Sequence, residues 1–423
     1  MTIDLEGGLP MPSRTGIQRR TLRVLAAAQV LGGCGFFLGI AVAALLARDV
    51  SGQEALSGVP LAFGVISAAL AAVPLSSWMA RVGRRPGLVA GHVIAGVGSA
   101  VVVAAAAAGS FALLCVGMAA FGIGNAANLL ARYAATDLAP PQWRARAISV
   151  VLLATAAGAI LGPNLASQAE PLGNWLGVSD SAAPFAVSVV LYALAAGTLL
   201  VLLRPDPLLT ARRLDGVTPA AGIGAFHALK TLPSWPALAL TGVAAMAIGN
   251  IAMVAVMTMT PVHMESAGES LSAVGLVISL HVAGMYLPSP ISGILADRYG
   301  RLPVLAAGGA MLIAAGVCSA LAPGDHTPLV AVALILLGIG WNFGLVGGSA
   351  LVTDAVAPDQ RPQTQGAADL VMGMTGALGS LAAGPLFHAG AFALLGAGAA
   401  GLGLLLIVVA SRARGQVVAG TAS

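Results

Sequence analysis

Gly293-Ile294-Leu295-Ala296-Asp297-Arg298-Tyr299-Gly300-Arg301 sets three charges and two glycines between two long apolar runs. Shifting the sequence by 217 residues lays Arg298-Tyr299-Gly300-Arg301-Leu302-Pro303 on Arg81-Val82-Gly83-Arg84-Arg85-Pro86. The same offset lays Thr353-Asp354 on Thr136-Asp137, Pro358 on Pro141 and Arg361 on Arg144. Four landmarks sharing one offset make the chain an internal repeat. Glycine at such a loop permits a tight turn and close helix approach. Asp297 is suited to cap a helix end or to pair with a cation on a neighbouring helix.

The apolar runs around these loops fix the solvent. Of 423 residues 58% are hydrophobic and 9% charged, and the mean hydropathy is +0.93. Soluble domains carry about 25% charged residues, so this chain cannot cover itself in water. Disorder requires the opposite composition. The runs are too long, and alternate too little, for a β-barrel. Spans of about 20 apolar residues are long enough to cross a bilayer. Twelve are expected, near 22–47, 55–79, 87–108, 110–135, 146–168, 182–203, 236–262, 271–296, 303–322, 328–353, 363–384 and 388–410. The chain therefore divides into a tail over 1–21, a six-helix bundle over 22–203, a polar linker over 204–235, a second bundle over 236–410 and a tail over 411–423. Residues 1–21 are polar and precede a full span, so no cleavable signal peptide is expected.

Charge placement sets the expected orientation. With both termini cytoplasmic, one loop cation, Arg48, falls outside, together with Asp49, Glu54, Glu170, Asp180, Glu265, Glu269 and Asp325. Cytoplasmic loops carry the Lys/Arg excess. The net charge of +4 therefore reports topology, and no nucleic-acid partner is expected. Cys34, Cys115 and Cys318 are far apart and form neither a disulfide framework nor a zinc site. Ser, His and acidic residues are scattered over different spans, which speaks against an enzyme. No Walker lysine motif is present, so coupling to a proton gradient is expected. Asp369, inside the eleventh span, and His281 are the candidate proton carriers. Near the end of its span, Asp369 also has Arg361 as a candidate partner.

The loop Gly293, Asp297, Arg298, Gly300, Arg301, with its partial copy at Gly83 and Arg84, resembles the signature loop of the major facilitator superfamily. That resemblance covers the whole chain. It implies an all-α polytopic membrane protein, with twelve transmembrane helices in two six-helix bundles. It also implies a monomeric secondary transporter of the cytoplasmic membrane that works by alternating access, without a cofactor. These residues would latch the cytoplasmic side. Ala80 stands where the first copy would carry its acid, so an acid elsewhere would have to replace it. Gly158-Ala159-Ile160-Leu161-Gly162-Pro163 resembles the GxxxGP motif of drug:proton antiporters, although Ala166-Ser167 replace two usual glycines. Gly122-Ile123-Gly124-Asn125 resembles a second antiporter motif, whose arginine would fall on Met118.

The candidate substrate site lies in spans seven and eight. Met246, Asn250, Met253, Met257 and Met264 recur at +4, +3, +4 and +7 along one helix face. His281 and Met285 sit one turn apart on the next span, and His263 precedes Met264 at the outer mouth. Met stripes are commonly packing filler or the walls of adaptable pockets. Thioether and imidazole also suit Cu(I). Met253-x-x-x-Met257 followed by His281-x-x-x-Met285 resembles the paired motifs of CcoA-like copper importers. The resemblance implies that these four bind metal, with Met246, His263 and Met264 as an entry path and copper as the substrate. The alternative is a proton-coupled efflux pump for amphipathic compounds. The copper reading predicts that His281→Ala and Met257→Ala abolish cellular copper accumulation while the protein still reaches the membrane. Unchanged accumulation in both would end it.

Overall fold

A computed structural model describes residues 14–53, 56–217, 230 and 232–421. Residues 1–13 of the N-terminal tail, residues 54–55, residues 218–229 and 231 of the linker, and residues 422–423 lie outside the described residues, Glu54 among them. Twelve helices are long and apolar enough to cross a membrane. In the first half they are Arg14–Ser51, Val59–Val82, Arg84–Ala108, Phe111–Ala134, Pro141–Asn164 and Ala183–Asp215. In the second half they are Ala237–Ser266, Ala273–Tyr299, Arg301–Leu321, Thr327–Ala355, Arg361–Ala389 and Phe392–Gly415. They are numbered here as spans one to twelve. The even count brings Arg14 and Gly415 to one face, called the terminal face below.

Several spans run past the apolar stretch that marks them. Span one starts at Arg14, eight residues before the first apolar run at 22, because Gln18 is anchored on the Ala135 carbonyl at 2.7 Å and Ile17 packs on Leu138 and Ala211. Part of the linker is ordered as well. Asp206 caps the helix Pro207–Asp215, accepting from Leu208 N at 3.0 Å and Leu209 N at 3.1 Å. A side-chain oxygen at that position satisfies amides that a helix start leaves bare.

Small residues set the packing within each half, as expected where lipid offers no hydrophobic drive between helices. Gly158 and Gly162 bring span five against Cys34 and Leu38 of span one. Gly379 brings span eleven against Ile251 of span seven. Gly309 and Gly316 seat span nine on span twelve. The halves meet chiefly where span two crosses span eleven and span five crosses span eight.

Span eight is broken near its middle into Leu271–Tyr286 and Ser289–Tyr299 around Pro288. A break frees a backbone carbonyl, and lipid cannot satisfy it. Asn342 of span ten supplies the partner. Its Nδ2 donates to the Met285 carbonyl at 2.7 Å and to Ser289 Oγ at 2.7 Å, and its Oδ1 accepts from Ser292 Oγ at 2.7 Å.

Candidate functional site

The terminal face is sealed by two crossings that the 217-residue repeat relates to each other. Ser76 of span two lies against Gly366 of span eleven, and Ser149 of span five against Gly293 of span eight. A methyl group at either glycine would overlap the facing serine hydroxyl. Both crossings therefore require a residue with no side chain.

Around the crossings, charges tie the halves together. Asp297 accepts from Ala145 N at 3.2 Å and Arg146 N at 3.0 Å, so it caps span five of the opposite half. Arg301 reaches Asp297 at 3.3 Å and Asp354 at 3.0 Å. Arg144 crosses from the first half to the same Asp354 at 2.5 Å. The repeat-related cluster in the first half is Arg84 on Asp137 at 2.9 Å, with Arg84 Nη2 crossing to Gln365 Oε1 at 2.8 Å. Burial pushes the Asp137 carboxyl above its ordinary value, and Arg84 pulls it back. Gly83 and Gly300 turn these loops at φ of 102° and 96°, a region that disfavours other residues.

The clusters differ at Ala80, where no carboxylate is available to cap across the halves. Asp206 takes over locally. It accepts from Arg85 N at 2.7 Å, and Arg212 donates to the Ala80 carbonyl at 2.6 Å. Both contacts stay within the first half, so the carboxylate latch on the opposite half exists once. Arg298 stands outside it: its side chain is exposed, lies 5.4 Å from the Tyr299 ring and has no ion pair among the described residues.

Above the seal lies a pair the sequence analysis did not assemble. Arg132 of span four and Asp369 of span eleven form an ion pair between the halves, both buried. Asp369 is therefore not held by Arg361, which instead donates to the Thr353 carbonyl at 3.0 Å. Arg132 also donates to Ser349 Oγ at 3.1 Å, to Tyr133 Oη at 3.0 Å and to the Leu129 carbonyl at 2.5 Å. Ser349 is the repeat mate of Arg132. Two equivalent positions can touch only on the axis that relates the halves, so the pair marks that axis. Asp369 Oδ1 takes the arginine, and Oδ2 has no hydrogen-bond partner among the described residues.

Asp369 lies on the wall of a cavity of about 380 Å³ between the halves. Five aromatic residues stand on the walls, beside four methionines and smaller apolar residues. Phe36 and Phe121 stack at 5.6 Å, and Phe37, Tyr286 and Trp341 follow edge to face at 6.4 and 5.8 Å. Asn250 fixes the Trp341 plane by accepting its indole N–H at 3.0 Å, and itself donates to the Met372 carbonyl at 2.8 Å. Asn125 adds a second amide. The lining runs from Asp369 to Ile40, Leu61 and Ser380, towards the face opposite the seal.

Of the soft-ligand candidates, Met253 and Met285 are on this wall, whereas Met257 and His281 are not among the lining residues. His281 is fully buried against span ten, Nδ1 at 2.7 Å from the Leu334 carbonyl, and its Nε2 has no partner among the described residues. Met246 lies beside the floor, where it accepts from Ser349 Oγ at 3.7 Å. Met264 is buried, and His263 stacks on Phe392 at 4.3 Å and meets the Ala322 carbonyl at 3.0 Å. Gly158 and Gly162 serve the packing of span five on span one, and Pro163 closes that helix.

Two repeated six-helix bundles enclosing a cavity on their common axis define a membrane carrier. The model of the Major Facilitator Superfamily matches residues 25–274 and 243–420, and the chain belongs to that family. It is 40% identical to the uncharacterised MFS-type transporter YddS of Bacillus subtilis (strain 168), over 96% of this chain and 93% of that protein. It is 32% identical to the riboflavin transporter RfnT of Brucella anthropi, over 88% of this chain and 89% of that protein. Among solved structures, the human organic anion transporter MFSD10 (TETRAN) shares the fold, with a TM-score of 0.73 at 16% identity, covering 95% of this chain and 100% of that one. The protein is thus a multi-pass membrane transporter of small molecules and not an enzyme.

The seal makes a direct prediction. Gly293→Ala and Gly366→Ala should each disfavour the sealed terminal face. A ten-fold change in the ratio of the two states, about 1.4 kcal/mol, should make an Ile40→Cys reporter on the cavity wall react about five-fold more slowly with a thiol reagent applied from the opposite face when the two states start equally populated. Equal rates in the parent and both variants would show that the crossings do not hold the seal.

Proposed function

We propose that this protein is a proton-coupled secondary transporter of planar, amphipathic organic molecules, with riboflavin as the working substrate. The observation that carries the reading is the cavity itself. Five aromatic residues wall it, an asparagine orients one ring, and a single carboxylate sits on the wall beside the floor. Aromatic faces stacked on a planar ring are worth about 0.5–1.5 kcal/mol each beyond burial. Few charges are available to hold a sugar phosphate or an organic acid. The 32% identity to a riboflavin transporter supports the same substrate class.

Proton coupling rests on Asp369. A proton arriving on Oδ2 from the cavity neutralises the carboxylate and dissolves its pair with Arg132. Arg132 keeps Tyr133, Ser349 and the Leu129 carbonyl as acceptors, so it remains partly satisfied. Removing one partner of a buried pair costs about 3–5 kcal/mol, enough to tip a two-state carrier. Loss of the tie between the halves then favours opening of the terminal face. We place that face in the cytoplasm of the plasma membrane, because the loop cations gather there. Driven in the opposite direction, the same cavity would export amphipathic drugs.

Copper import is a second reading. It is favoured by Met253 and Met285 on one wall and by the unpartnered Nε2 of His281, one turn from Met285. It requires His281 to turn from Leu334 towards the cavity.

The test of the main reading is riboflavin movement in proteoliposomes under an imposed proton gradient of either polarity. Wild type should accumulate the flavin against its gradient with one polarity. Asp369→Asn should lose that accumulation by ten-fold or more, at about 1.4 kcal/mol per decade, while still exchanging flavin down a gradient. Accumulation in Asp369→Asn would remove the carboxylate from coupling, and no flavin movement by wild type would remove the substrate.

A further inference from the structure

A second cavity, of about 570 Å³, opens at the terminal face between the bases of spans one and five, away from the transport path. Its polar end holds Arg19 and Arg146, and its deeper wall is Leu22, Ala147 and Val150, with Trp143 at the rim. Arg19 is exposed and has no ion pair among the described residues. Arg14, the third cation of the pocket, is already neutralised by Asp215 at 2.8 Å and held by the Leu138 carbonyl at 3.2 Å. Gln18 contributes a buried amide at 9% exposure. Its Nε2 is bound to Ala135, and its Oε1 lacks a hydrogen-bond partner among the described residues. Trp143, near the start of span five, is 54% exposed, and such amphipathic rings are enriched at membrane interfaces.

We propose that this pocket holds the headgroup of an anionic glycerophospholipid from the leaflet at the terminal face. The two arginines take the phosphate, and an acyl chain runs along Leu22 and Val150. Basic pockets between spans are suited to anionic headgroups, and among the described residues no carboxylate lines this one to receive a choline cation. The site reaches the seal through Arg146. Its backbone N–H donates to Asp297 at 3.0 Å, and its side-chain Nε lies 3.8 Å from the same carboxylate. A phosphate on this guanidinium competes with Asp297 for it, so the lipid composition of one leaflet biases the latch. The pocket lies apart from the central cavity, whichever solute that cavity carries.

Trp143 provides the probe. The full chain is reconstituted in phosphatidylcholine vesicles that contain a small fraction of either dibrominated phosphatidylglycerol or dibrominated phosphatidylcholine. The Trp143 signal is taken as the fluorescence lost in Trp143→Phe. Brominated phosphatidylglycerol should quench this signal at several-fold lower mole fraction than brominated phosphatidylcholine. Arg19→Gln and Arg146→Gln should each lower the preference by roughly five-fold, and excess inorganic phosphate should leave it unchanged. Equal quenching by the two lipids, or a preference untouched by both substitutions, overturns the proposal. Competition by inorganic phosphate assigns the pocket to a soluble anion and overturns the lipid assignment.

Discussion

An arginine inside a membrane protein must be neutralised or solvated, and Arg132 has one carboxylate with which to do so. That carboxylate, Asp369, belongs to the other half of the molecule. The pair therefore exists only when the two bundles are close on the terminal side of the cavity. Everything below it is arranged to allow that approach. Gly366 and Gly293 let spans two and eleven, and spans five and eight, cross with nothing between them but a serine hydroxyl. The aromatic cavity lies above, because the same closure that joins Arg132 to Asp369 leaves the halves parted towards the opposite face.

The repeat gives the molecule two similar faces of one seal, but they are not equal. Asp354 and Asp137 are repeat mates, and each receives the repeat-related arginine, Arg301 or Arg84. Asp297, by contrast, reaches across to cap span five, and at the matching position Ala80 has no such carboxylate. Asp297 takes two backbone amides of span five, and Arg144 crosses to Asp354, so the span five and span eight crossing carries several charged ties. At the span two and span eleven crossing Arg84 reaches the uncharged Gln365 by one bond, with no opposite charge to meet it, which makes this the natural place for separation to begin.

Much of this was legible in the sequence. The loop Gly293–Arg301, its copy at 217 residues and the spacing of apolar runs point to the family and the helix count. Arg132 was missed because it reads as one more basic residue near the end of a span, although its isolation in an apolar run and its pairing by repeat with the neutral Ser349 were available signals. Asp206 was invisible because its helix-capping partner, Arg85, is 121 residues away in sequence. The cavity was missed for a similar reason. Phe36, Phe37, Phe121, Tyr286 and Trp341 come from four spans with no common spacing, and only packing brings them together. The methionine spacing along span seven does not say which of its members line the cavity, nor whether His281 turns towards that face or, as found, towards the Leu334 carbonyl of span ten.

The central claim is that protonation of Asp369 releases the seal. It is tested most directly by the distance between spin labels at Arg81 and Gln360, both exposed at the terminal face and in opposite halves. As pH falls, the wild-type distance distribution should move from short to long, because the neutral carboxyl no longer holds Arg132. In Asp369→Asn the balance of short and long distances should be shifted towards long and should no longer respond to pH. A wild-type distribution indifferent to pH, or an Asp369→Asn variant that stays short and responds as wild type does, would contradict the account.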